Sequence, residues 1–378
     1  MNIIKGLCFN IKFIRLYVLG LACFIGCLLY QTNENQMGTK LALASLAILV
    51  IGALIRIKDI SSINKTPNRT LVIAFGIISL LGTFLYSTTP QYFLRYIAFI
   101  AAFALVSKFN ITSIENEFLK DVFSVAMTIY AGLTSYSFIF NPITTNYIHA
   151  DVLLFGTQMD PNYVSIPFVA AANICVSRLI RKKGLVLNTV MLSVNLLAIL
   201  CAASRGAMVA LGVSLIIHFC INTKRSKMQV LVFLIIAIVF YKLLLPVIIG
   251  NFGEQFSRMT EFGADDDNGR WELWGKAFSL LLDYPLLGCG LGGMVVHYGH
   301  ASHNTFIQVL CETGVLGFFL FVFMIFGMLK KSYFYDKELF VLFLGYLMQI
   351  VFVDALADRL LWLLLMWISL TERKMLIK

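Results

Sequence analysis

The stretch GNFGEQFSRMTEFGADDDNGRWELWGKAFSLLLDYPLLGCGLGGMVVHYGHAS, residues 250–302, is where the chain changes character. Before it, long apolar runs alternate with short polar breaks, and the next apolar run opens only at His303-Asn304. A loop of about fifty residues without regular structure is uncommon unless it is functional. The chemistry of this chain is therefore expected on this loop and on the start of the helix that follows it.

The flanking runs set the fold class. Of 378 residues, 59% are hydrophobic and 13% charged, and the mean hydropathy is +0.84. Soluble domains average about 45–50% apolar and about 25% charged. Apolar runs of about 17–22 residues match a hydrocarbon core ~30 Å thick. β-barrel spans would be shorter and would alternate in polarity. We expect an all-α polytopic membrane protein with twelve transmembrane helices. The spans fall at about 13–30, 39–56, 70–87, 91–107, 118–140, 163–179, 185–202, 205–221, 228–249, 304–329, 338–353 and 358–371. There is no tandem repeat and no room for a separate soluble domain, so residues 1–378 are read as one integral membrane domain with the long loop, 250–303, inside it. Lys5, Lys12 and Arg15 ahead of a run ending Phe24-Ile25-Gly26-Cys27 imitate a signal peptide. The run is long enough to span and more spans follow, so an uncleaved first helix is expected.

Basic residues orient such a chain. With the N-terminus inside, 22 of the 30 Lys and Arg fall on inner segments, in clusters such as Arg178/Arg181/Lys182/Lys183 and Lys330/Lys331/Lys337. The positive-inside rule thus selects cytoplasmic termini and an outward-facing long loop. The net charge of +10 records orientation and is no footprint of nucleic acid. The outer side also collects 13 of the 20 acids, among them Asp151, Asp160, Asp354 and Asp358. Seven of the eight cysteines lie in or beside apolar runs and only Cys289 is in the long loop, which suggests no disulfide framework.

Within the loop, Trp271, Trp274, Phe278 and Leu281 recur at helical spacing, with Asp267 or Asn268 as cap and Pro285 beyond the end. Such a helix either presents an aromatic face to the membrane–water interface or packs on the tops of the spans.

Outer arginines gain nothing from the orientation rule, so each needs another reason. Arg205 sits in a tight outer turn, Ser204-Arg205-Gly206, and Arg270 opens the loop helix; Arg95, Arg258 and Arg359 are further candidates. A guanidinium is a planar fork that fits phosphate oxygens, and converging arginines would hold a lipid diphosphate and stabilise it as a leaving group. The plain alternative is salt bridging to Asp354, Asp358 or the acids Asp265-Asp266-Asp267, or contact with lipid headgroups. His297, His300 and His303 share the spacing H-x-x-H-x-x-H, but the third drifts off the helical face of the first two and Gly299 interrupts a helix, so no metal site is expected. His303, where loop meets helix, is the candidate general base; His297 and His300 read as loop residues. Asp160-Pro161-Asn162 is a turn and helix cap or a second set of substrate contacts. The run Asp265-Asp266-Asp267 is read as solvated.

Taken in order, Ser204-Arg205-Gly206-Ala207, Gly269-Arg270-x-x-x-Trp274, Asp283-x-Pro285-Leu286-x-Gly288-x-Gly290 and His303-Asn304 followed by Gly314-x-x-Gly317 resemble the O-antigen ligase and O-antigen polymerase superfamily. The motifs cover about Asp160 to Gly317. The resemblance implies a GT-C-type glycosyltransferase in the bacterial inner membrane, active at its outer face without metal, nucleotide sugar or other cofactor. It implies a glycan on undecaprenyl diphosphate as donor, Arg205 and Arg270 on the diphosphate, and His303 activating the acceptor hydroxyl. Asn304 joins Asp160, Asn162, Arg95, Arg258 and Arg359 among further substrate contacts. A polymerase extending a lipid-linked repeat unit, with a chain-length regulator as candidate partner, is preferred over a ligase acting on lipid A core. Gly314 and Gly317 are expected to allow close helix packing beneath the site. A transporter or lipid-linked sugar flippase is the reading from another class. It would place charges at mid-membrane in paired halves, whereas here they gather at the outer rim.

Overall fold

The computed structural model describes residues 14–30, 36–57, 67–86, 90–140, 143–144, 150–154, 157–222 and 269–371. The expected span 228–249, the candidate Arg258 and the run Asp265-Asp266-Asp267 lie outside the described residues. Every other expected span coincides with helix. The helices are α1 (Leu16–Gly26), α2 (Gln36–Ile55), α3 (Pro67–Tyr86), α4 (Pro90–Val106), α5 (Ser113–Phe140), the short α6 (Pro161–Val164), α7 (Ile166–Ile180), α8 (Leu185–Cys201) and α9 (Arg205–Asn222). Beyond the long loop's first part come α10 (Arg270–Asp283), α11 (Gly293–Tyr298), α12 (Thr305–Tyr335), α13 (Lys337–Gln349) and α14 (Arg359–Leu370). By length and composition, four stretches suffice to cross a membrane: Asn68–Tyr86, Ser113–Phe140, Pro161–Ile180 and Thr305–Tyr335. The other apolar helices among the described residues are shorter, so the count of twelve rests on the hydropathy pattern. The shorter outer loop adds a small antiparallel sheet, β1 (Ile143–Thr144), β2 (Ala150–Leu154) and β3 (Thr157–Met159), in the order β1-β2-β3.

The chain forms two compact units. The first comprises Met1–Gly6, Met127–Asp266 and Val341–Gln349; the second comprises Leu7–Ala126, Asp267–Phe340 and Ile350–Lys378. In the first, α13 packs closely on α7, where a Cβ on Gly345 would meet Asn173 Nδ2 at 2.6 Å. Such packing of small residues against a polar side chain suits helices that have no water between them.

In the second unit polar contacts gather at the ends of the helices. At one end the Arg15 Nε donates to Glu115 at 2.8 Å, Lys120 pairs with Asp336 at 2.6 Å and Glu338 at 3.2 Å, and the Trp367 indole donates to Asn116 at 2.8 Å. Lys120 is almost fully buried, so its carboxylates are what make that burial tolerable. At the other end Tyr96 donates to the Leu356 carbonyl at 2.7 Å.

The element that positions the site is the turn after α10. α10 runs to Asp283 and stops ahead of Pro285, as read from the sequence. Its cap differs from expectation: Gly269, at φ 70°, is the N-cap and makes no side-chain bond. Asp267 and Asn268 lie outside the described residues. The turn that follows is seated in a break of α12 at Gly314, whose φ of 66° and ψ of −174° only glycine adopts readily. Its carbonyls and amides bond the backbone groups the break releases. Cys289 N donates to Cys311 O at 2.9 Å, Gly290 N to Glu312 O at 3.0 Å and Val315 N to Pro285 O at 2.9 Å. The opposite wall is the end of α3, where Thr83 Oγ1 accepts from Leu291 N at 3.0 Å. The role expected for Gly314 is corrected accordingly: it receives a loop instead of a helix. Gly317 does face a helix, a Cβ there lying 3.5 Å from Ile78 of α3.

Candidate active site

The segment Ser302-His303-Asn304-Thr305 starts α12, and each residue has a separate fastening. Asn304 is the N-cap, its side chain accepting from Phe306 N at 2.9 Å and Ile307 N at 3.2 Å, the bonds an asparagine cap supplies. Thr305 Oγ1 donates to Val353 O at 2.7 Å and accepts from Ala355 N at 2.9 Å. The Trp274 indole of α10 donates to Ser302 O at 3.0 Å. Arg270 lies one turn before Trp274 on α10, hence on the same face. His303 itself is half-buried and left-handed at φ 55°, a conformation rare outside glycine but enriched for Asn, Asp and His.

What holds His303 in that conformation is Asp354, in the loop between α13 and α14. One carboxylate oxygen accepts from His303 N at 2.7 Å, and the other bonds the Ser302 hydroxyl. Burial pushes the Asp354 carboxyl above the ordinary aspartate range, against the Ser302 hydroxyl and His303 amide, which favour its charged form. The 353–356 loop is fastened once more through Gln308, which accepts from Leu356 N at 3.2 Å and donates to Glu312 at 3.2 Å. Asp354 was legible only as one of several outer acids, because its partner stands 51 residues earlier. We expect Asp354→Asn to lose about 1–3 kcal/mol of stability, since an amide cannot accept from both donors. Activity should fall by about 10²-fold through misplacement of His303, checked by thermal melting in detergent beside turnover.

The other histidines stand apart. His297 lies on α11, which ends at left-handed Gly299, and His300 follows the break; both are exposed. No group of three His, Cys, Asp or Glu suited to a metal occurs among the described residues.

Of the arginines in the second unit, Arg270 is half-buried at the start of α10. Beside it, Trp271 is 71% exposed and packs edge-on against Trp274 at 4.9 Å. α10 packs by one face, as the packing reading has it, and leaves the other exposed. Ala277 and Leu280 are buried against Cys289, Met294 and Cys311, while Trp271, Phe278 and Leu282 point outward. Arg359 is buried and donates to the Cys27 carbonyl at 3.5 Å and Thr39 at 3.3 Å. Arg95 is close enough to act on it electrostatically.

In the first unit the structure brings Asp160, Asn162 and the Arg205 turn together. Asp160 caps α6 by accepting from Asn162 N at 2.7 Å, the structural role weighed for it. Ser204 Oγ donates to Asn162 Oδ1 at 2.8 Å and accepts from Ala207 N at 3.2 Å. Ala203, at φ 48°, makes the reversal that presents Arg205 as the first residue of α9.

Residues 189–322 match the family model described as O-antigen ligase. The interval contains Arg205, Arg270, His303, Asn304 and the Gly314 break, and leaves out Arg95, Asp160, Asn162, Asp354 and Arg359. No curated protein matches the chain.

Proposed function

We propose, for a chain that belongs to the O-antigen ligase and polymerase superfamily through its residues 189–322, that it is a polymerase. In this reading it moves a glycan from undecaprenyl diphosphate onto a sugar hydroxyl of another lipid-linked repeat unit, at the outer face of the inner membrane. The observation that supports glycan transfer, by polymerase or ligase alike, is the fastening of His303: a half-buried residue whose backbone amide is fixed by Asp354 at 2.7 Å, beside the helix that starts with Arg270.

His303 takes the proton of the acceptor hydroxyl as the new glycosidic bond forms. Asp354, within charge reach of that imidazole, supports the imidazolium as it appears. The bond from the sugar to the diphosphate breaks, and Arg270 stabilises the negative charge left on the phosphate oxygens. Arg205, in the first unit, is assigned to the diphosphate on its motif alone. No step requires a metal or other cofactor. A ligase using lipid A core as acceptor is the second reading, favoured by the description of the matched family.

The test uses purified protein in detergent with a lipid-diphosphate-linked oligosaccharide, with and without lipid A core, chelator present. A product ladder from the lipid-linked glycan alone supports the polymerase; product only with lipid A core makes the chain a ligase. No product in either tube, with substrate crossing the bilayer of reconstituted vesicles, overturns the transferase reading in favour of a flippase. Arg270→Lys is the internal control. It should lose most activity because a point charge does not replace a bidentate fork, and near-normal turnover would remove Arg270 from the diphosphate.

A further inference from the structure

Cys289 and Cys311 are 22 residues apart, one in the turn after α10 and one in α12, and the fold brings them together. The amide of Cys289 donates to the carbonyl of Cys311 at 2.9 Å. Residues bonded in this way have Cα atoms about 5–6 Å apart, within the usual disulfide range. Both are free thiols in this structure, close enough to act on each other electrostatically. Both are essentially without exposure, at 0% and 1%, in a cluster with Ala277, Leu280 and Met294. Space on the far side is closed, since a Cβ on Gly293 would lie 2.4 Å from Cys289 Sγ.

We propose that Cys289 and Cys311 are a disulfide-forming pair that fastens the turn to α12 beside the Gly314 break. Two thiols become one S–S bond. Their two protons and two electrons pass to an external disulfide, that of a thiol–disulfide exchange protein or of oxidised glutathione, which leaves as two thiols. Exchange takes place while the turn is still undocked, because the docked pair is closed to a second protein. Once docked, the same burial shields the bond from reductants. A bridge closing a loop of about twenty residues stabilises mainly by restricting the unfolded chain. The inference rests on the reading that the long loop faces an oxidising outer compartment.

Full-length protein is taken from membranes after acid quenching, denatured and blocked with light N-ethylmaleimide, then reduced and relabelled with the heavy reagent. Cys289 and Cys311 should carry only heavy label, and the unreduced digest should hold their two peptides joined; Cys175, buried in α7, should carry light label. In Cys289→Ser the joined peptide should be lost and Cys311 should move to the light label. Light label on both residues of the unmutated chain overturns the proposal. Sidedness is read separately on Leu282→Cys, an 82% exposed position of α10, with an impermeant maleimide on intact cells. Labelling there with an unbonded pair overturns the disulfide and leaves the outward loop standing. No labelling there overturns both.

Discussion

His303→Asn should lower glycan transfer by about 10²–10⁴-fold, the contribution of a positioned general base, and leave the protein's melting temperature in detergent close to that of the parent. Asparagine is the informative replacement because of the backbone. His303 is left-handed at φ 55°, and asparagine enters that region with little strain, whereas alanine pays about 1–2 kcal/mol there. His303→Ala should therefore be equally inactive but somewhat less stable. The Asp354 bond is to the His303 backbone amide, so it survives both substitutions and the segment stays docked. Turnover by His303→Asn within a factor of a few of the parent would remove the general base from the mechanism. The family match over residues 189–322 and the proposed arginine roles would be untouched by that result.

Gly314→Ala should cost about 3 kcal/mol or more of stability. Two terms add. The position has φ 66° and ψ −174°, a region that costs a residue with a Cβ about 1–3 kcal/mol. The new methyl would also lie 2.4 Å from the Leu286 carbonyl carbon and oxygen and 2.6 Å from Gly288 N. Those are backbone atoms and cannot rotate away, so the turn must leave its seat and abandon the bonds to Cys311, Glu312 and Val315. Gly275→Ala is the control, since a Cβ there meets nothing within 4 Å; it sits inside α10 and should raise stability by about 0.5–1 kcal/mol. Melting in detergent, with limited proteolysis between Pro285 and Gly290, reads both. A Gly314→Ala protein that melts with the parent and resists cleavage would refute the seating of the turn.

Much of this site could be read before the fold was known, for an identifiable reason. A helix start is a local event: a polar cap, then an apolar run. His303-Asn304 announced one, and Asn304 does cap α12. α10 and its end before Pro285 were legible in the same way, from aromatic spacing and a residue that cannot continue a helix. The Gly314 break was not. A glycine inside a long apolar run reads equally as a helix-packing position or a break, and what separates the two is a turn about thirty residues earlier that fills the gap. The same holds for Asp160, whose capping role appears once Asn162 is seen donating to it.

Composition and hydropathy by themselves pointed to a helical membrane protein, because the bilayer acts on each segment separately. Motif order carried the family, because it lies along the chain. The tertiary structure alone decided which distant residues meet: Asp354 with His303, the Pro285–Gly290 turn with the Gly314 break, Cys289 with Cys311, and Lys120 with Asp336 and Glu338. Each of these joins segments far apart in sequence through a few polar contacts, and such partnerships leave no periodic trace in the local pattern. They exist only once the spans have packed and returned the chain to the same place.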